Sequence, residues 1–383
     1  MRVQINAANL NHGGAVAVAA NFIENVPAVW DSMATAWITY LEILVSPRVA
    51  EEIDDLDLIR RLDRVDVVVS SSRLDLKSLL WSRPDFDVRF TIFGPEYLGR
   101  KAAHEVVGFA DGTIVRAWHS PEPGTKEQTL QLPLRSRITG GAKRMLLARN
   151  YDTYVVQTSE MADSLRSLVP SRPVHVVPNV VSGVFTDPTR WSHVPLPDRQ
   201  PQEIRLFYPA RGYVHKNHSY LPLVSRAFEE TFGIPLTFVT TLRSEEMQRI
   251  FPDPEPCIIN VGEISRGQCA YLYEKTDALF FPSLNETFSS SPIEAMTIGK
   301  PVIALDLPFM NEMLGGNCWY VPAENAQLAA EVVWSVFNDQ NSLSERTVQS
   351  QIWVQRFTSG SEQAFRYFSI MRDRVGTTNN RHS

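Results

Sequence analysis

The chain has 383 residues, of which 44% are hydrophobic and 21% charged, and its formal net charge is -6 at pH 7. This length exceeds one ordinary hydrophobic core, so it predicts two domains that each fold around their own core. The acidic balance argues against nucleic acid as the main partner. The 3 cysteines form no C-x-x-C pair, which argues against a disulfide or zinc scaffold.

The sequence also predicts where in the cell the protein is located. It contains no run of about 18 apolar residues that would span a bilayer, and its first residues lack the charged-then-apolar layout of a signal peptide. We therefore expect a cytoplasmic protein. A basic stretch over residues 135–149, interleaved with apolar residues, predicts either peripheral contact with an anionic membrane surface or an ordinary solvated helix face.

The first half of the chain alternates strand-like and helix-like segments. Gly13-Gly14 follow the first predicted strand and begin an alanine-rich helix. This alternation predicts a Rossmann-like domain over residues 1–185. No GxGxxG follows the first strand, which weakens a dinucleotide-dependent oxidoreductase interpretation. The predicted strands are Val3 to Asn6, Val65 to Ser70, Val88 to Phe93, His104 to Ala110 and Tyr154 to Gln157, with a further apolar segment from Ala36 to Val45.

The second half repeats this alternation after a polar, proline-rich stretch from Thr186 to Gln202, which is typical of an interdomain linker. A second Rossmann-like domain is predicted over residues 203–364. Near its end, Gln327 to Asn338 and Ile352 to Met371 have apolar residues at helical spacing. The predicted strands are Ile204 to Ala210, Leu236 to Thr240, Ile258 to Val261, Ala278 to Phe281 and Val302 to Leu305.

The segment from Phe281 to Asp306 places two carboxylates around the start of a helix. Glu286 lies in a loop after an apolar strand, and Glu294 lies in the first turn of a helix that Ser291 and Pro292 are predicted to begin. A helix N-terminus can hold an anion, and carboxylates accept hydrogen bonds from vicinal hydroxyls, so the unit suits a nucleotide sugar. The alternative for Glu294 is a capping box with Ser291 that serves only the helix backbone.

These residues resemble the E-x7-E signature of the retaining glycosyltransferases of family 4. Glu286 and Glu294 occupy the two acidic positions, while Thr287 and Ser289 stand where the family usually has glycines. The resemblance covers most of residues 174–322. Further matching segments, in the order that the family requires, are Val176 to Val180, Arg211 to His218, Val261 to Ser265, and Pro301 to Ile303.

The resemblance implies a GT-B fold: two Rossmann-like α/β domains facing across a cleft, with a C-terminal helix, about residues 365–383, that crosses back to the first domain. It also implies transfer of a mannose- or glucose-type hexose from a GDP- or UDP-sugar, with retention and without a metal or other cofactor. The acceptor would be a hydroxyl group of a glycan or of a polyprenyl-linked sugar. A weaker similarity is to a subgroup that assembles bacterial surface polysaccharide such as O-antigen.

The resemblance assigns roles to individual residues. Arg211 and Lys216 would bind the donor diphosphate, Glu286 the transferred sugar and Glu294 the ribose hydroxyls. Asp111 is the candidate for a polar residue of the first domain near the donor sugar, with His119 and His104 as alternatives. Further donor-binding candidates are Gly262 and Glu263 beside the base, the backbone of Thr287, Phe288 and Ser289, and Gly13 and Gly14, which would allow close approach of the backbone.

Other functions stay open at this point. Within the same fold, a sugar-nucleotide epimerase would need an acidic and basic pair at the sugar, and a phosphorylase would need a lysine that binds pyridoxal phosphate. A catalytically silent subunit that binds a partner or a glycan is a further alternative, although Arg211, Lys216 and Glu286 are all present. The base, sugar, acceptor, linkage and oligomeric state are not specified by the sequence.

Overall fold

The computed structural model describes residues 1–11, 13–70, 85–94, 102–110, 150–357 and 359–379. The chain divides into two compact units, Met1–Val180 with Thr358–Ser383, and Val181–Phe357. Each unit contains one β-sheet in which all paired strands are parallel. The predicted α/β architecture with two Rossmann-like halves is therefore confirmed.

The first unit has a seven-stranded sheet in the order β3-β2-β1-β4-β5-β6-β7. Its strands are β1 (Arg2–Ala7), β2 (Tyr40–Val45), β3 (Val65–Val69), β4 (Val88–Gly94), β5 (His104–Phe109), β6 (Thr153–Val156) and β7 (Val174–Val176). Its first helices are α1 (Gly14–Glu24), α2 (Val26–Val29), α3 (Pro47–Glu52), α4 (Leu56–Arg60) and α5 (Ser159–Leu168).

The second unit has a six-stranded sheet in the order β10-β9-β8-β11-β12-β13. Its strands are β8 (Ile204–Tyr208), β9 (Leu236–Thr240), β10 (Ile258–Asn260), β11 (Ala278–Phe281), β12 (Val302–Leu305) and β13 (Trp319–Val321). Its α-helices are α6 (Tyr220–Phe232), α7 (Ser244–Ile250), α8 (Arg266–Lys275), α9 (Ser290–Ile298), α10 (Pro308–Leu314), α11 (Ala326–Asn338) and α12 (Gln340–Val354).

The central strands of the second sheet are apolar on both faces. Every residue of β11 and β12 is buried, and Phe207, Phe238 and Phe280 are fully enclosed in the core between sheet and helices. Parallel sheets require this pattern because the crossover helices cover both of their faces. The apolar runs leave the polar residues of this region to the loops that follow the strands.

The prediction of one helix from Ile352 to Met371 is wrong. Helix α12 ends at Val354, and a separate helix, α13 (Gly360–Asn379), begins after a break. The hydroxyl of Ser359 accepts a hydrogen bond from the backbone N–H of Glu362 at 3.3 Å, as an N-terminal cap does. The apolar spacing continues across the break, which explains why periodicity alone joined the two helices.

Helix α13 belongs to the first unit. Its Phe368 is fully buried, and the ring of Tyr367 packs edge-on against Phe22 of α1 at 4.9 Å between centroids. At its start, a Cβ on Gly360 would come within 2.3 Å of the Asn25 side chain, so a larger residue there would require Asn25, at the end of α1, to move. None of the helices within the described ranges is long and apolar enough to cross a membrane.

Gly108 lies where β4 and β5 of the first sheet approach each other closely enough for a single substitution to test the contact. A Cβ at this position would lie 1.8 Å from the carbonyl oxygen of Ile92, where the β4–β5 register shifts between Thr91 and Gly94. We expect Gly108→Ala to lower the free energy of unfolding by about 3 kcal/mol, because the strands must separate to admit the methyl group. Urea denaturation followed by circular dichroism measures this. Gly14→Ala, with nothing within 4 Å of its added Cβ, is the control; equal stability of the two variants would contradict the close approach.

Candidate active site

The site residues of the second unit lie at one edge of its sheet. Strands β10, β9, β8 and β11 are neighbours and run parallel, so their carboxyl ends meet at the same edge. Ligands of open α/β sheets bind beyond this edge. The loops that begin there carry Glu263 after β10, Arg243 after β9, Arg211 and Lys216 after β8, and Glu286 after β11.

The loop after β8 is a short 3-10 turn, Val214–Lys216, that ends at Asn217 in the left-handed region, with φ of 55°. Asparagine tolerates this conformation better than most residues with a Cβ. The phenol of the buried Tyr208 donates a hydrogen bond to the carbonyl oxygen of Lys216 at 2.7 Å. The backbone of Lys216 is therefore fixed to the end of its own strand.

Lys216 and Glu286 form an ion pair between the Nζ and Oε1 atoms, and both side chains are mostly buried. Ser283 donates a hydrogen bond to the same Oε1 at 2.6 Å. The loops are also joined through the backbone, because the N–H of Leu284 donates to the carbonyl oxygen of His215 at 2.8 Å. The structure thus brings together two residues that the sequence separates by 70 positions.

Arg211 lies in a second charged cluster. Its Nε and Nη2 atoms each lie 3.2 Å from Oε1 of Glu246, a residue of α7. Its Nη1 donates to Oε1 of Glu263, which also accepts from Nη2 of Arg243 at 2.6 Å. The hydrogen bond from Arg243, followed by the charge of Arg211, holds the pKa of Glu263 below its ordinary value. These two arginines and two glutamates are called the arginine cluster below.

Glu246 is the fixed member of the arginine cluster. Burial raises the pKa of its carboxyl group, but hydrogen bonds from the backbone N–H groups of Arg243 and Gly212 and the charge of Arg211 outweigh burial, so the pKa lies below its ordinary value. The backbone N–H of Arg243 donates to its Oε2 at 3.0 Å. Both oxygens of Glu246 are therefore occupied by groups of the protein.

Glu294 is not part of a capping box. Helix α9 begins at Ser290, one residue before the predicted start, and its N-cap, Ser289, makes no side-chain capping hydrogen bond. The Glu294 carboxylate instead accepts from the phenol of Tyr273, at 3.4 Å, and from the Ser290 side chain. Although the residue keeps some exposed surface, burial raises the pKa of its carboxyl group to about 7, against these two hydrogen bonds. The structure removes the capping alternative.

The other donor-binding candidates of the second unit differ in their surroundings. Gly262 has φ of +78°, with nothing within 4 Å of the position of a Cβ, so the backbone there is open to a ligand. Thr287 is half-buried and Ser289 is buried. The ring of Phe288 packs edge-on against Phe357 at 5.9 Å, so it stabilises the loop rather than pointing away from it.

Gly13 and Gly14 lie in the first unit, between β1 and α1. Gly13 is the N-cap of α1 with φ of 67° and ψ of -162°, a conformation that residues with a Cβ essentially do not adopt. Among the described residues, nothing lies within 4 Å of a Cβ at either glycine, and both glycines are exposed. Close approach of a ligand to this backbone stays a prediction.

Four other predicted features fall elsewhere. Asp111, His119 and the basic stretch 135–149 lie outside the described residues. His104 is the first residue of β5, so it lies at the amino end of that strand and not at the edge where ligands bind. Across the described ranges, no three His, Cys, Asp or Glu side chains lie together as metal ligands would.

Sequence reasoning missed Arg243, Glu246 and Ser283. Arg243 follows β9 as directly as Arg211 follows β8, so its position after a buried strand was an available signal. Glu246 contacts Arg211, and Ser283 contacts Glu286. Only the folded chain shows these contacts.

Comparison with solved structures identifies the fold. Three solved structures resemble nearly the whole chain: sucrose-phosphate synthase from Thermosynechococcus elongatus (TM-score 0.65, 14% identity, 98% of this chain and 99% of that one), HepE from Anabaena in complex with UDP and glucose (0.61, 11%, 97% and 99%), and a glycosyltransferase from Rickettsia africae (0.61, 16%, 96% and 96%). At these identities the likeness shows the fold, which is that of GT-B glycosyltransferases.

Sequence comparison finds a family match for one part of the chain. Residues 255–351 match the family described as glycosyl transferases group 1, and this segment lies wholly within the second unit. The O-antigen chain mannosyltransferase RfbU of Salmonella typhimurium is 30% identical over 127 residues, which are 32% of this chain and 36% of that protein. The match thus spans about a third of the relative's length.

The raised pKa of Glu294 predicts a pH-dependent stability. Between pH about 4.5 and 7 the unfolded chain releases the Glu294 proton while the folded chain retains it, so the free energy of unfolding falls as pH rises through this window. Glu294→Gln removes this loss. We expect the variant to gain stability relative to wild type from pH 5 to pH 8, measured by urea denaturation. A difference between the two proteins that is constant with pH would contradict the assignment.

Proposed function

We propose that the protein is a retaining glycosyltransferase that moves a hexose from a GDP- or UDP-sugar to a hydroxyl group of a glycan or lipid-linked acceptor in polysaccharide biosynthesis. The observation that carries this proposal is the convergence of Arg211, Lys216 and Glu286 at the carboxyl edge of one parallel sheet. Two cations and a carboxylate at this edge match the two chemical parts of a nucleotide sugar, its diphosphate and its hydroxyl groups.

The cations would act on the leaving group. As the glycosidic bond breaks, the nucleoside diphosphate gains negative charge. Fixed cations at that position stabilise the transition state more than the bound substrate, and the activation barrier is therefore lower. Arg211 can bind phosphate oxygens with parallel N–H groups, while Lys216 supplies a compact charge. Both are held by carboxylates that orient them before the ligand arrives. No metal is needed if these residues neutralise the leaving diphosphate.

The carboxylates would bind hydroxyl groups. Glu286 lies beside Lys216, so a sugar hydroxyl that it accepts from would lie next to the diphosphate end of the donor. Glu294 would accept from the ribose hydroxyls, and Gly262 and Glu263 would border the base. Retention would follow from attack on the face that the diphosphate leaves, with a leaving phosphate oxygen taking the acceptor proton. Asp111 remains the candidate for contact with the donor sugar from the first unit.

The comparisons support the substrate class. The name of the partial relative, an O-antigen chain mannosyltransferase, supports a mannose-type sugar and an acceptor on a growing glycan. The UDP and glucose in the HepE structure support the UDP-linked alternative. We propose that the reaction takes place in the cytoplasm, at the inner face of the plasma membrane where the acceptor is lipid-linked.

A thermal-shift panel tests the donor site. GDP, UDP, ADP, TDP and CDP are added without metal to wild type, Arg211→Ala and Arg226→Ala, the last being a control because Arg226 forms an ion pair elsewhere in the same unit. We expect one nucleotide, at a hundredfold excess over its Kd, to raise Tm by roughly 5 °C in wild type and the control. Arg211→Ala should lose most of this rise.

The panel also separates the classes of function. Stabilisation by GDP or UDP that depends on Arg211 identifies the donor class. An absence of any response would contradict the glycosyltransferase proposal and favour a silent subunit that binds a partner or a glycan.

Glu286→Gln separates catalysis from binding. Removing the charge weakens contact with the sugar hydroxyls but frees Lys216 for the diphosphate. We expect transfer or donor hydrolysis to fall about a hundredfold in kcat, while the Kd for the nucleoside diphosphate stays within about threefold of wild type. Glu255→Gln, at the partner of Arg226, is the matched control. Unchanged kcat in Glu286→Gln would exclude Glu286 from the reaction.

A further inference from the structure

The arginine cluster contains a second arginine, Arg243, to which the proposed function gives no role. Arg243 follows β9 and lies beside Arg211, and both guanidinium groups donate to the same oxygen, Oε1 of Glu263. A single carboxylate oxygen thus occupies the space between two arginines. Oxygens of a phosphate group have the same charge and the same hydrogen-bonding character as this carboxylate oxygen.

The two glutamates of the cluster are held very differently. Glu246 is 13% exposed, and its oxygens are bonded by Arg211 and by backbone N–H groups. Glu263 is 44% exposed, its only described ion pairs are with the two arginines, and it follows Gly262, where nothing among the described residues lies within 4 Å of the position of a Cβ. Glu246 is therefore a permanent anchor for Arg211, whereas Glu263 can leave without disturbing the fold.

Arg243 also has a donor that the protein does not use. Its Nε is shielded from solvent and has no hydrogen-bond partner among the residues that the structure describes. A buried donor without a partner is unfavourable, so a ligand that supplies an acceptor there would gain affinity. A carboxylate oxygen shared by Nη atoms leaves this Nε unsatisfied, whereas a diphosphate carries several acceptor oxygens.

We propose that Arg211 and Arg243 form a two-arginine clamp for the diphosphate of the ligand, and that Glu263 occupies this clamp until the ligand displaces it. The inference rests on the proposed function and adds Arg243 to the donor-binding residues. The occupied clamp lowers the apparent affinity by the fraction of molecules in which Glu263 is in place. In return, the arginines are already oriented when the ligand arrives.

The test is isothermal titration of the full chain with inorganic pyrophosphate, and separately with GDP and UDP, at fixed ionic strength. Arg243→Gln should weaken pyrophosphate binding about tenfold or more, and Arg243→Lys should bind with intermediate affinity, because lysine keeps the charge and loses the paired N–H groups. Glu263→Gln should bind pyrophosphate more tightly, by about threefold to tenfold, because the competing charge is gone. Arg226→Gln and Glu255→Gln are the controls, because these residues form an ion pair elsewhere in the same unit. Their affinities for pyrophosphate and for the nucleotides should stay within about twofold of wild type.

Several outcomes overturn the clamp. Pyrophosphate binding that is unchanged in Arg243→Gln but weakened in Arg211→Gln removes Arg243 from the site. Unchanged pyrophosphate binding in Glu263→Gln, with weaker GDP or UDP binding, limits Glu263 to its proposed contact with the base and removes it from the clamp. Failure of pyrophosphate and both nucleotides to bind wild type and Glu263→Gln also overturns it.

The same titrations keep the clamp and the proposed function apart. Pyrophosphate affinities that follow the expected pattern, in a protein that neither hydrolyses nor transfers from GDP- or UDP-sugars, support the clamp and contradict the glycosyltransferase. Sugar transfer with affinities indifferent to Arg243 supports the glycosyltransferase and overturns the clamp.

Discussion

The parallel order of β10, β9, β8 and β11 is the constraint on which the candidate site depends. Because these strands run the same way, residues that follow them meet at one edge although they lie far apart in the sequence. Buried apolar strands fix the starts of the loops after β8 and β9 to the core, so Arg211 and Arg243 begin from fixed positions. The accuracy of the site therefore comes from the sheet, while its chemistry comes from the loops.

Charge pairing is the second constraint. A cation that is largely removed from water is costly unless a carboxylate or a hydrogen bond compensates it. Lys216 and Arg211 satisfy this requirement with Glu286 and Glu246. The same pairing would orient them for the proposed diphosphate, so the contacts that stabilise these loops also position the two cations. Such a site must exchange some of these contacts for contacts with its ligand.

The strands and the two motif glutamates could be predicted from the sequence because they depend on local patterns. Apolar runs such as Ala278 to Phe281 gave strands with correct ends, and the E-x7-E spacing located Glu286 and Glu294. Contacts between distant loops could not be predicted, since the pairing of Lys216 with Glu286 depends on which strands are neighbours. The capping alternative for Glu294 failed for a related reason. Its helix begins at Ser290, and its carboxylate meets Tyr273 from another helix.

Glu294 shows how burial can alter the chemistry of a motif residue. Burial raises the pKa of its carboxyl group to about 7, so both the charged form, which accepts from a hydroxyl group, and the neutral form, which can donate to one, are available near neutral pH. A diol that donates two hydrogen bonds favours the charged form and would lower this pKa on binding. Ligand binding would then release a proton near neutral pH, and the affinity for a ribose would increase as pH rises through this range. Folding stability changes in the opposite direction with pH, so the burial that lowers the free energy of unfolding near neutral pH would also make ligand affinity depend on pH.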